Sequence, residues 1–139
     1  METIKRQLEK IASEYGLQII YAFGSRSKEV LARVEGRIER LTSTPSDLDI
    51  GIKPKRFLTI REKVRIAMFF EDLFDVPRVD LVVVPEAPVL LAVEIVSGEI
   101  LYAEDSTFEA EYQLHILRQA ADLFPYERMK QKMIFEERR

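Results

Sequence analysis

The chain has 139 residues, 47% of them apolar, which is enough for one hydrophobic core and a single domain over residues 1–139. It contains no cysteine, so disulfides, thiolate zinc sites and thiol nucleophiles are all excluded. A formal net charge of −3 offers no overall attraction for nucleic acid, and no apolar run approaches the roughly 20 residues that span a bilayer. Charges occupy Met1-Glu2-Thr3-Ile4-Lys5-Arg6, where a signal peptide would be apolar, so the expectation is a cytoplasmic protein without membrane or direct nucleic-acid contact.

In chain order, Ile4, Leu8, Ile11 and Ala12 recur at helical spacing, and Gly16 is placed to end that helix. The nearly continuous apolar run Leu17 to Phe23 predicts a strand covered on both faces. Gly24 then permits a tight turn and close approach of a ligand to the backbone, with the Ser25 hydroxyl beside it. Ser27 is a candidate N-cap for a helix from Lys28 to Leu41, with Val30, Leu31, Val34, Ile38 and Leu41 on one face. The positive end of that helix would face an anion held at the turn. A polar turn, Thr42 to Ser46, leads to a strand opening at Asp47, and Lys53-Pro54-Lys55-Arg56 reads as a basic loop.

Thr59 and Glu62 form a capping-box pair opening a helix to about Phe74, which Asp75-Val76-Pro77 breaks. Val79 to Val84 is a strand by its β-branched content. Val89 to Val96 is read as a short helix closed by Gly98, and Ile100-Leu101-Tyr102 as a short edge strand. Thr107 to Arg139 is helical, with Pro125 kinking or dividing it. The pattern predicts an α/β fold, a small mixed sheet flanked by helices with a helical C-terminus. The core spans about 17–103 and the C-terminal helical region about 107–139.

Three carboxylates carry the candidate chemistry. Side chains alternate along a strand, so Asp47 and Asp49 point the same way while Leu48, Ile50 and Ile52 face the packed side. Two such carboxylates repel unless a cation sits between them, and oxygen ligands of this kind suit Mg²⁺ together with substrate phosphates. Gly24 and Ser25 would then form a phosphate cradle facing a metal site.

Gly24-Ser25, Asp47-Leu48-Asp49 and Asp80 at the start of a later strand together resemble the signature of the polymerase-β-type nucleotidyltransferase superfamily. The run Ser46 to Ile52 and the small size resemble its minimal nucleotidyltransferases, over most of the chain from Leu17 to about Tyr102. The resemblance implies that Gly24 and Ser25 hold the triphosphate of ATP. It implies that Asp47 and Asp49 bind Mg²⁺, two ions in all, and that Asp80 is a further ligand that activates the attacking hydroxyl. Ser25 and Asp47 lie 22 positions apart, about twice the separation in typical minimal members, which the helix between them accounts for. Such proteins are often encoded beside a HEPN ribonuclease toxin and act as its antitoxin by adding AMP to a tyrosine. A HEPN-type toxin is therefore the expected partner. Transfer to a small molecule, or a non-catalytic antitoxin acting by occlusion, are the alternatives.

Other features have plainer readings. Arg26 suits either phosphate or a neighbouring carboxylate. His115, the only histidine, has no second histidine to complete a metal site and is expected at or near the surface. Asp72 and Asp75 fall at a helix end, where capping or solvation is natural. In the C-terminal region, Phe108, Tyr112, Ile116, Leu117, Leu123, Phe124, Tyr126, Met129, Met133 and Phe135 either cover the sheet or form a docking surface.

Overall fold

The computed structural model describes residues 2–137, and the side chains of residues 2–123. Helix α1 (Ile4–Tyr15) begins at Thr3, whose hydroxyl accepts from the Arg6 N–H, and ends at Gly16 in the left-handed region. Strand β1 (Leu17–Phe23) follows without a gap. Next come α2 (Ser27–Val34), β2 (Leu48–Pro54), α3 (Ile60–Phe74) and β3 (Val79–Val83). A 3₁₀ turn (Val84–Glu86), α4 (Val89–Val96), β4 (Glu99–Ala103) and α5 (Ser106–Glu137) complete the chain. Both halves of the Thr59–Glu62 capping box form at the start of α3.

The four strands form one mixed sheet in the order β3-β2-β1-β4. β1 runs antiparallel to both β2 and β4, and β2 runs parallel to β3. One face carries Ile20, Ala22, Leu48, Ile50 and Ile52 against α1, α2 and α3, with Leu8, Val30, Ile66 and Phe70 at its centre. The other face carries Ile19, Tyr21 and Phe23 against α4 and α5, through Ala92, Ile95, Val96 and Ile116. Because β1 is buried on both faces, its sequence is apolar apart from the half-buried Gln18 and the Tyr21 hydroxyl. Gly51 has no room for a side chain, since a Cβ there would land on Ile95 of α4.

Several expectations are corrected. The second helix stops at Val34 rather than Leu41. Gly36 takes φ +79°, and the Arg37 N–H reaches back to the Ala32 carbonyl at 2.9 Å, the hydrogen bond of a glycine-terminated helix. Ile38 and Leu41 still pack on the core, but from a non-helical segment, which is why their spacing imitated a helix. Ser27 is the first helical residue and not the cap; Arg26 precedes it and makes no side-chain cap. Asp47 lies one residue ahead of β2, and Lys53 and Pro54 belong to that strand and not to a loop. Val84 leaves β3 to enter the 3₁₀ turn. Helix α5 runs through Pro125 as one element. Phe124, Tyr126, Met129, Met133 and Phe135 lie outside the residues whose side chains are described. Among the described residues, no helix is long and apolar enough to cross a membrane.

Candidate active site

The site lies where β1 ends and β2 and β3 begin. After Phe23 the chain turns at Gly24, with φ +76°, and the Ser27 N–H returns to the Gly24 carbonyl at 3.3 Å. Gly24 and Ser25 are exposed at this turn, immediately before the N-terminus of α2. Asp49 pairs with Phe23 across the antiparallel ladder and with Asp80 across the parallel one. The Gly24 turn, Asp49 and Asp80 therefore meet at one corner, on the α4 and α5 side of the sheet. A Cβ at Gly24 would land on the Asp49 carboxylate, so only glycine lets the turn sit so close to that acid.

Burial holds the Asp49 carboxyl above its usual range, and the charges of Asp80, Asp47 and Glu94 add to the shift. Three further carboxylates thus act on Asp49, and Arg78 forms ion pairs with two of them. Its Nε stands 3.6 Å from Asp47 Oδ2 and 3.8 Å from Asp80 Oδ1. Neither Arg78 nor Glu94 was singled out by the sequence. Arg78 lies two residues before Asp80, so strand alternation was the only available signal.

The donor set is of the kind a hard divalent cation takes: three aspartate side chains on adjacent chain segments, with burial and neighbouring charge holding the Asp49 carboxyl above its usual range. In the arrangement seen, no three acidic, histidine or cysteine side chains close around a single point among the described residues. Asp47, Asp49 and Asp80 stand along the sheet end with Arg78 beside two of them.

Arg26 turns away from this corner. It is buried, 6% exposed, and donates to the Ser46 carbonyl at 2.9 Å and the Thr42 carbonyl at 2.7 Å, with Nε 3.3 Å from Glu29 Oε2. Glu29 also accepts from the backbone N–H and the hydroxyl of Thr42. Burial pushes the Glu29 carboxyl up, but the hydrogen bonds from Arg26 and Thr42 outweigh it and leave the group below its usual range. The pair thus fastens the non-helical segment to α2 and sets the path by which the chain reaches Asp47. Of the two roles the sequence left open for Arg26, the geometry favours the carboxylate partner over phosphate.

On the same face, farther along β2, Lys53 is half-buried and not solvated. Its ammonium donates to Gln18 Oε1 and to the Pro54 carbonyl, both at 2.8 Å, and stands 5.9 and 5.7 Å from the ring centres of Phe108 and Tyr112. His115 is exposed, as expected, and Phe108, Tyr112 and Ile116 cover the sheet.

The Gly24 turn and the aspartates at the end of the sheet form the candidate site. The sequence model described as polymerase beta, nucleotidyltransferase matches residues 6–107, and the chain belongs to that family. A search of the curated proteins finds none that matches. Among solved structures, a toxin–antitoxin complex with AMP-PNP has a chain similar to this one at a TM-score of 0.71 and 19% identity, covering 94% of this chain and 98% of that one. The toxin–antitoxin MntA-HepT complex gives a TM-score of 0.67 at 18% identity, covering 95% of this chain and 97% of that one. A tri-AMPylated HEPN toxin in complex with MNT antitoxin, from Shewanella oneidensis, gives the same TM-score of 0.67 and identity of 18%, with coverage of 95% of this chain and 96% of that one. Similarity at this identity establishes a shared nucleotidyltransferase fold over nearly the whole length of both chains.

Proposed function

We propose that this protein is a Mg²⁺-dependent nucleotidyltransferase that moves AMP from ATP to a protein hydroxyl, a tyrosine of a cognate HEPN-type ribonuclease toxin, and so acts as the antitoxin. The observation that carries the reading is the register that sets Asp49 beside Asp80 and directly against the Gly24 turn. The solved relatives support the choice of acceptor, because one is a complex with a tri-AMPylated HEPN toxin and another contains AMP-PNP.

In this reading the Gly24-Ser25 turn receives the triphosphate, with the backbone left open by the absence of a side chain at Gly24. Asp47, Asp49 and Asp80 would hold Mg²⁺, which neutralises the phosphate charge that otherwise opposes attack. The acceptor oxygen forms a bond to the α-phosphorus as the bond to pyrophosphate breaks, and the Asp80 carboxylate, the most exposed of the three, accepts the hydroxyl proton. The Arg26–Glu29 pair holds the 42–46 segment so that Asp47 stays at the mouth. Arg78 provides a counter-charge for Asp47 and Asp80 before substrate arrives.

The test is the intact mass of the neighbouring gene's product after incubation with this protein, ATP and Mg²⁺. One or more added AMP units with the unsubstituted protein, and none with Asp49→Ala, is the expected result. A tight complex without any mass gain would instead identify an antitoxin that works by occlusion.

A further inference from the structure

Charge is segregated along this chain far more than a net value of −3 suggests. Residues 53–65 hold six Lys and Arg against one carboxylate, Glu62, whereas residues 79–117 hold eight Asp and Glu and no Lys or Arg. The basic segment ends β2 and opens α3. Since Lys53 lies four residues beyond Asp49 on β2, this segment begins roughly 13 Å from the carboxylate corner and runs away from it.

Helix α3 is apolar on two sides. Ile66, Phe70 and Phe74 are buried against the sheet. On the outer side Ile60, Val64 and Met68 recur every four residues and are 80%, 52% and 55% exposed, with Phe57 88% exposed just ahead of them. The strip from Ile60 to Met68 is about 12 Å long, or about two helical turns. At Phe57 it meets a cleft of about 370 Å³ whose walls include Tyr112, Ile116, Val83 and Pro85. Arg56 and Lys63 are held by Glu62 and Glu86, but Arg61 and Arg65 enter no ion pair among the described residues.

An aliphatic strip at helical spacing, bordered by free guanidinium groups, complements a second helix with apolar residues at matching spacing and carboxylates beside them. We propose that the outer face of α3, with Phe57 and the adjoining cleft, is the docking surface for an acidic amphipathic helix of the partner protein. This rests on the protein-acceptor reading and adds to it a recruitment surface distinct from the carboxylate corner. A large apolar side chain of the partner enters the cleft, and Arg61 and Arg65 pair with its carboxylates. Nucleic acid fits this surface less well, because Ile60, Val64 and Met68 interrupt the cations and the exposed ring of Phe57 lies at one end of the strip rather than along it.

The test is the affinity of the full chain for the neighbouring gene's product, measured by calorimetry in an Asp49→Ala background so that no AMP is added meanwhile. Val64→Glu and the double substitution Arg61→Glu/Arg65→Glu each weaken binding by about tenfold or more, while Lys5→Glu on α1 changes nothing and circular dichroism is unaltered throughout. Equal affinity in every variant overturns the docking surface and leaves the acceptor reading standing. If even the Asp49→Ala chain does not bind, the acceptor reading fails, and a labelled synthetic helix with leucine at every third or fourth position and glutamates beside them becomes the probe. Binding of that peptide lost on Val64→Glu still supports the surface, and absent or indifferent binding overturns it. A single-stranded oligonucleotide that outcompetes the peptide and depends on Arg61 and Arg65 alone would overturn the assignment to a protein helix.

Discussion

The corner at Gly24 and the buried pair behind it use similar groups to opposite ends. Arg26 and Glu29 sit two and five residues after Gly24 and are fully engaged, with each other and with Thr42 and Ser46. Asp47, Asp49 and Asp80 are left with one exposed arginine at more than 3.5 Å, and Asp49 is pushed toward its neutral form. The first arrangement stabilises the fold at neutral pH. The second costs stability, because burial and neighbouring carboxylates oppose the ionised form of Asp49. The difference separates residues that shape the corner from those to which the proposed function gives the chemistry.

The largest effect that can break this comparison is catalytic. Asp49→Ala is expected to lower AMP transfer on the order of 10³-fold while leaving the thermal midpoint equal to or above that of the unsubstituted chain. A fall in the midpoint would make Asp49 a structural residue. Arg26→Ala should do the reverse and destabilise by about 2 kcal/mol in denaturant unfolding, because the partly buried Glu29 and two carbonyls lose the donor they share. Its effect on transfer should follow the loss of fold and be recovered in part by stabilising solutes. Gly24→Ala combines both consequences: about 1 kcal/mol from a side chain at positive φ, and a loss of transfer because the new Cβ lies on the Asp49 carboxylate.

The smallest effect is the pH dependence, and its sign separates the two regions. Asp49 has a folded value raised above its ordinary 3.8, so its ionised form opposes folding at neutral pH. Asp49→Asn should therefore raise the midpoint above that shifted value, and the gain should vanish as the pH falls toward 3.8. Glu29 has a folded value below its ordinary 4.5, so its contribution is full above 4.5 and lost as the pH falls through the lower folded value. Glu29→Gln should be less stable at pH 7, with the deficit fading only in acid. Thermal melts of both variants across that range check both signs.

Local signals carried the sequence reading furthest. The bounds of β1, the capping box of α3 and the paired alternation of Asp47 and Asp49 depend on residues within four positions of one another, and each is present in the fold. The early end of α2 was also written locally, in Gly36, but the inward-facing Ile38 and Leu41 continued the helical spacing past it. What could not be read were pairings between distant segments. Arg26 meets residues 16 and 20 positions away, Lys53 meets Gln18 35 positions away, and the buried Tyr21 hydroxyl donates to Glu109 88 positions away at 2.7 Å. That last pair ties β1 to α5, and burial together with the Glu109 carboxylate drives the Tyr21 phenol far above its usual range. Only the register of the sheet brought Asp80 beside Asp49, a neighbourhood the sequence could not show.

The central claim is that the Gly24 turn and the three aspartates bind a nucleotide triphosphate together with a divalent cation. Calorimetric titration of AMP-PNP with and without Mg²⁺ tests it most directly, on the unsubstituted chain and on Asp47→Ala/Asp49→Ala. The account predicts binding that requires Mg²⁺ and disappears in the double variant while its fold is retained. Equal binding without Mg²⁺, or undiminished binding by the double variant, would contradict it.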